Sequence, residues 1–132
     1  MKYNELIQLY FERSNALQSY WTLYVVIVGG LLAFSSLRKQ PAALTTLVVS
    51  ILFGLFAYEN LDAIRQTSVQ RFATLDVLKQ TESESKPVRD ALEPTLTPAS
   101  IGSIKTTHLT SDLLTLAALW AMEFRRRKNA TQ

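Results

Sequence analysis

Two long uncharged stretches constrain this chain more than any other feature. Residues 14–37 contain no Asp, Glu, Lys or Arg over 24 positions, and residues 40–58 contain none over 19. A helix needs about 20 mostly apolar residues to cross the hydrocarbon core of a bilayer, so each stretch is long enough to do so. All 25 formal charges, 14 basic and 11 acidic, lie outside these two stretches. This segregation points to an all-α integral membrane protein. Apolar residues make up 48% of the chain, which excludes disorder over most of it. The absence of Cys rules out a disulfide framework, a thiolate metal site and a cysteine nucleophile.

The expected layout is a transmembrane hairpin plus a third helix, with helices 1 and 2 extended beyond the bilayer. Residues 1–19 carry an approximate helical stripe through Leu6, Ile7, Tyr10 and Leu17. With no basic n-region and no cleavage site, they read as an amphipathic extension and not as a signal peptide. Residues 20–37, YWTLYVVIVGGLLAFSSL, form transmembrane helix 1, with Tyr20, Trp21 and Tyr24 as an interfacial aromatic belt. Arg38-Lys39-Gln40-Pro41 is a tight polar turn. Residues 42–58 form transmembrane helix 2.

Small residues let membrane helices approach closely. Gly29, Gly30 and Ala33 in the first span, and Ser50 and Gly54 in the second, are therefore the expected packing surface of the hairpin.

Beyond the second span, residues 59–80 keep a helical stripe without Gly or Pro, and predict a stalk projecting about 30 Å. Leu61, Ile64, Phe72 and Leu75 line this stripe and are its expected interface. Residues 1–19 emerge on the same side and cover part of it. Residues 81–98 are rich in Pro, Ser and Thr and read as a linker with one short turn at Val88–Leu92. Residues 99–124 form a further helix with Ser100 as N-cap, and residues 125–132 form a basic tail. This last helix is read as a third span beginning near Lys105, the rival being a helix lying on the membrane surface.

The positive-inside rule weighs basic residues in short loops near span ends. Arg38, Lys39 and the run Arg125-Arg126-Arg127-Lys128 then place the turn and the C-terminus in the cytoplasm. The N-terminus and the stalk lie on the non-cytoplasmic side. The basic run reads as a membrane flank, not as a nucleic-acid patch. The sequon Asn129-Ala130-Thr131 would go unused on a cytoplasmic tail.

Ionisable groups within a span are costly and face a bundle interior or water. Lys105, His108 and Asp112 share one helical face at steps of three and four, and Glu59 and Asn60 at the end of helix 2 reach a similar level. These five residues are the expected intramembrane polar cluster. Its two readings are a clamp fixing helix 3 to the hairpin, which is preferred, and a proton or ion site. Glu123 is expected to pair with the adjacent basic run. One His and one carboxylate fall short of the usual four zinc ligands. No phosphate loop or nucleophile elbow is present, so no catalytic, cofactor or metal residue is assigned. The expected function is that of a small non-catalytic multi-pass protein, a structural or accessory subunit in the lipid bilayer. It would assemble with copies of itself or with a larger membrane protein. The alternative is an oligomeric ion channel or transporter with Asp112 lining the path.

Overall fold

Nothing in residues 3–37 interrupts a helix: there is no Pro, and the only two glycines are adjacent. In the computed structural model, which describes residues 1–132, they form one helix, α1 (Tyr3–Leu37). A five-residue turn leads into α2 (Ala43–Gln80), which runs unbroken from the apolar stretch through the stalk. At 1.5 Å per residue these helices are about 52 and 57 Å long. They form an antiparallel hairpin, with Arg38 bonding to Thr46 at the turn and Arg13 to Gln70 far from it. Then come α3 (Lys86–Leu92), a 3-10 turn (Glu93–Thr95) and α4 (Ile101–Ala130). Altogether 86% of the residues are helical and none is in a strand.

Two helices, α1 and α2, are long and apolar enough to cross a membrane. Their most apolar windows are only 11% and 22% buried, so these apolar side chains face outward. α4 lies along the lower part of the hairpin, parallel to α1 and antiparallel to α2, packing more along α2. Ser100 caps its N-terminus by accepting from the Ser103 amide, as the sequence suggests. The helix does not end at residue 124 but continues through the basic run to Ala130. No breaker intervenes, and Lys and Arg in a last turn complement the helix dipole.

The seam of the hairpin differs from the expected one. Gly29, Gly30, Gly54 and Ala33 are exposed, and Ser50 is half-buried. A Cβ built on any of the three glycines meets nothing within 4 Å. The seam is made instead by Tyr24, Phe53 and Ala57, flanked by Ile27, Val28, Leu31 and Phe56. Large side chains interdigitate there around one small residue, and the glycine surfaces are left on the outside.

The stripe expected to line a stalk is likewise closed by the chain itself. Ile64 packs with Leu17 and Ile104. Leu75 and Leu78 pack with Tyr3, Leu6, Tyr10 and Leu96. Leu61 and Phe72 are half-buried. The stripe Leu61, Ile64, Phe72, Leu75 is therefore mainly an internal seam, since α1 is long enough to cover it.

The segment expected as a linker is also more ordered than its prolines suggest. Pro87 and Pro94 occupy the first turns of α3 and the 3-10 turn, where the missing N–H has no partner to lose. Leu96 then anchors the segment in the upper core. Arg89 donates to the Lys79 and Thr81 carbonyls at the end of α2 (2.6 and 3.1 Å), and pairs with Glu93 at 2.9 Å. Glu93 in turn accepts from the Tyr3 hydroxyl at 3.0 Å.

Gly54→Leu and Gly30→Leu are expected to leave the folded yield and thermal midpoint in detergent unchanged. Leu78→Ala should cost about 2–5 kcal/mol locally, read as faster amide exchange in residues 3–10 and 72–80. Burial, and then the bond to Glu93, raise the Tyr3 pKa above its usual 10.0. The stability this phenol contributes is complete below pH 10 and is lost as pH rises through its folded value. Alkaline titration should loosen residues 86–96 in wild type, and Tyr3→Phe should abolish that tyrosine-dependent step.

Candidate functional site: two polar clamps across the helices

The polar groups that α4 turns towards the hairpin gather in two layers. In the first, His108 is completely buried between the rings of Trp21 and Tyr24, with centroids 5.6 and 4.4 Å away. Its Nε2 lies 3.0 Å from Asn60 Oδ1, and its Nδ1 lies 2.8 Å from Asp112 Oδ2. Asp112 Oδ1 accepts from the Tyr24 hydroxyl at 2.7 Å. Asn60 Nδ2 donates to the Tyr20 carbonyl at 3.2 Å.

These contacts determine the proton positions. Because the Asn60 amide nitrogen must face a carbonyl, its oxygen faces the imidazole, so Nε2 carries a hydrogen. Nδ1 faces the Asp112 carboxyl group, so each polar atom of the imidazole has a partner in this otherwise apolar setting. Both ring nitrogens of His108 are occupied, so neither is free to ligate a metal.

Of the five residues expected here, the structure brings together Asn60, His108 and Asp112. Glu59 and Lys105 are exposed and take no part. Glu59 is adjacent to Asn60 in sequence but turned 100° away around the helix, and Lys105 projects outward despite its spacing. Tyr24, Trp21 and the Tyr20 carbonyl complete the layer and were not anticipated. The available signal was that a buried Tyr hydroxyl needs a polar partner.

The second layer is centred on Glu123, also wholly buried. Its Oε2 accepts from Thr46 Oγ1 (3.1 Å) and from Arg126 Nη2 (2.9 Å) and Nε (3.3 Å). Arg38 Nη2 is 3.8 Å from Oε2, and Arg127 Nε is 3.6 Å from Oε1. Arg126 also donates to the Ser35 carbonyl at 2.7 Å, and Arg38 to Thr46 Oγ1 and the Ala42 carbonyl, both at 3.3 Å. Glu123 does pair with the basic run, and it also bonds to Thr46 of α2 while its partner Arg126 reaches Ser35 of α1. The carboxylate sits at the N-terminus of α2 and the Arg126 guanidinium at the C-terminus of α1, each matching the local helix dipole.

Thr46 and Asn60 are fourteen residues apart on α2, and His108 and Glu123 fifteen apart on α4. The layers are thus separated by about 21–22 Å. Leu116 and Leu119 of α4 lie between them, Leu116 against the Tyr24–Phe53–Ala57 cluster and Leu119 almost wholly buried. The arrangement locks α4 at two heights and holds its polar groups in mutual contact.

No protein-family model, curated protein or solved structure matches this chain.

Asp112→Asn is expected to fold nearly as well as wild type. The new amide can donate to His108 Nδ1 while its oxygen still accepts from Tyr24. Asp112→Leu leaves both groups unpaired and should cost about 1–3 kcal/mol per group, read as a lower thermal midpoint in detergent. Glu123→Ala strands buried guanidinium groups and should cost about 3–5 kcal/mol. The double change Glu123→Met, Arg126→Met should recover part of that loss.

Proposed function

We propose that the chain is a non-catalytic multi-pass membrane protein acting as a structural or accessory subunit. In this reading α1 and α2 cross the bilayer as a hairpin, α4 is the third span, and the upper halves of α1 and α2 project as a stalk. The observation that carries the reading is the outward-facing apolar girdle of α1 and α2, with window burial of only 11% and 22%. The core helix of a water-soluble protein would bury those windows. Val25, Val26, Leu44, Ile51 and Leu55 are all exposed, and so large an apolar surface calls for lipid or a partner.

α4 supports its own assignment as a span. His108, Asp112, Glu123 and Arg126 face the hairpin, while Leu109, Leu113, Leu114 and Phe124 face outward. A helix resting on the membrane surface would turn its charges to water. The assembly role draws on the outer face of α1, where Gly29 and Ala33 stand exposed and offer close approach to another membrane helix. The exposed Phe11, Val69 and Val77 extend that offer along the stalk. An oligomeric channel would need Asp112 to face the space between copies. Its engagement with Tyr24 and His108 inside the protomer speaks against that alternative. The basic turn and tail favour a cytoplasmic C-terminus.

The chain has no native cysteine, so single-cysteine labelling in intact cells gives a clean test. A cysteine at position 84 should react with an impermeant reagent, and a C-terminal tag should stay inaccessible until the membrane is opened. Equal access to both sites would refute three spans, and release of the chain by alkaline carbonate would refute membrane embedding altogether. For assembly, Gly29→Leu with Ala33→Leu should shift the chain to a smaller species on size-exclusion chromatography without lowering its thermal midpoint. An unchanged elution would remove this face as the contact.

A further inference from the structure

Six cations gather at the turn end of the bundle, namely Arg38, Lys39 and Arg125 to Lys128. The one carboxylate among them, Glu123, is wholly buried and has Arg38, Arg126 and Arg127 within 4 Å. Lys39, Arg125 and Lys128 have no carboxylate within that distance. Lys39 and Arg125, together with Arg38 and Arg126, line a groove of about 340 Å³ between the end of α1 and the last turns of α4. Ser36 and Asn129 add hydrogen-bonding side chains, and Met122 gives the groove an apolar flank. Leu37 and Phe124, at the same levels of α1 and α4 as these lining residues, are exposed, so apolar surface stands at the depth of the groove.

We propose that this groove binds the phosphate-bearing headgroup of an anionic phospholipid, whose acyl chains lie along the adjoining girdle. The proposal rests on the membrane-spanning reading above. A guanidinium offers paired donors matched to phosphate oxygens. Arg38 and Arg126 are already held in place by Glu123, Thr46 and the Ser35 carbonyl, so their remaining N–H groups are presented with little further ordering. Lys39 and Arg125 supply charge that no protein group neutralises. A phospholipid brings an anion and an apolar chain to the same depth, which matches a cationic groove with apolar surface at its own level. Basic pockets between membrane helices are known to hold anionic headgroups in this way.

The test uses the full chain purified in mild detergent, offered equal amounts of phosphatidylglycerol and phosphatidylcholine, with retained lipid read by native mass spectrometry. Wild type should retain phosphatidylglycerol in preference. Each basic side chain near an anionic headgroup contributes a factor of about five, so Lys39→Ala with Arg125→Ala should lower that retention about twenty-five-fold. Both residues lie outside the clamps, so circular dichroism and the thermal midpoint should be unchanged. Lys79→Ala with Lys105→Ala removes the same charge elsewhere and should retain the lipid as wild type does. Equal retention of the two lipids, or equal loss from both double variants, would overturn the site. Displacement of the lipid by millimolar inorganic phosphate would instead assign the groove to a free anion and overturn the lipid assignment. The membrane reading fails separately, by carbonate release, so the two failures are distinguishable.

Discussion

A helix that carries His108, Asp112, Glu123 and Arg126 can lie against an apolar hairpin only if each of these groups arrives with a partner. Everything else in the lower half of the molecule follows from how that requirement is met. His108 and Asp112 hydrogen-bond to each other. Their outer atoms are satisfied by the Asn60 amide and the Tyr24 hydroxyl. Glu123 and Arg126 neutralise each other; Glu123 Oε2 also accepts from Thr46 and Arg126 also donates to the Ser35 carbonyl, while Glu123 Oε1 has only the Arg127 guanidinium nearby, at 3.6 Å. In both layers α4 supplies a pair of interacting side chains, and the hairpin supplies the groups that complete it: Asn60 and Tyr24 in one, Thr46, Arg38 and the Ser35 carbonyl in the other. Ionic groups placed in this way act as attachment points rather than as a burden.

The upper half is held by different physics. Above the first clamp, Leu17, Ile64 and Ile104 pack together, and further up Tyr3, Leu6 and Tyr10 close on Leu75, Leu78 and Leu96. Under the membrane-spanning proposal, water is the competing environment there, so apolar burial itself favours closure. In lipid the surroundings would be as apolar as the seam, which leaves large interlocking side chains and the two clamps to hold the lower half. Arg89 and Glu93 finish the upper end by capping α2 and holding Tyr3.

The hairpin and its projection beyond the apolar stretches were legible because charge segregation and helical periodicity are one-dimensional signals. The glycine seam was misplaced for a physical reason. Small-residue spacing marks a face that permits close approach, but it does not say which helix approaches. Residues Gly29, Ala33 and Gly54 mark such faces, and the structure turns them outward. Three of the five residues expected in the polar cluster do meet, and the other two failed for a similar reason. Asp112 and His108 are conspicuous in an apolar helix, and Asn60 was within reach. Glu59 and Lys105 share their neighbourhood in sequence but not their direction in space. Tyr24 was hidden because an aromatic residue near a span end reads as an interfacial anchor, and only its burial shows that the hydroxyl has work inside. Within the expected linker only the short turn at Val88–Leu92 was legible, and it proves to be part of α3; its start at Lys86 and the following 3-10 turn were hidden because proline signals a break and a helix start with the same letter.

Two clamps about 21 Å apart do more than attach α4; they fix its register. Sliding α4 by one turn brings residues four positions away into each layer. In one direction Arg127 takes the place of Glu123 against Arg38 and Thr46, putting two cations together with no carboxylate. At the same time Asp112 replaces His108 opposite the Asn60 carbonyl oxygen, setting acceptor against acceptor. In the other direction Leu119 and Ile104 take those places, leaving the Thr46 hydroxyl without its acceptor, Arg38 without a nearby carboxylate and Asn60 Oδ1 without the imidazole. Each slip therefore fails in both layers. A single clamp would hold α4 to the hairpin, but the second one removes the rotations and tilts that a single point of attachment permits. The pattern of charges along α4 is thus read best as an address. It specifies one alignment of three helices by making the neighbouring alignments electrostatically costly.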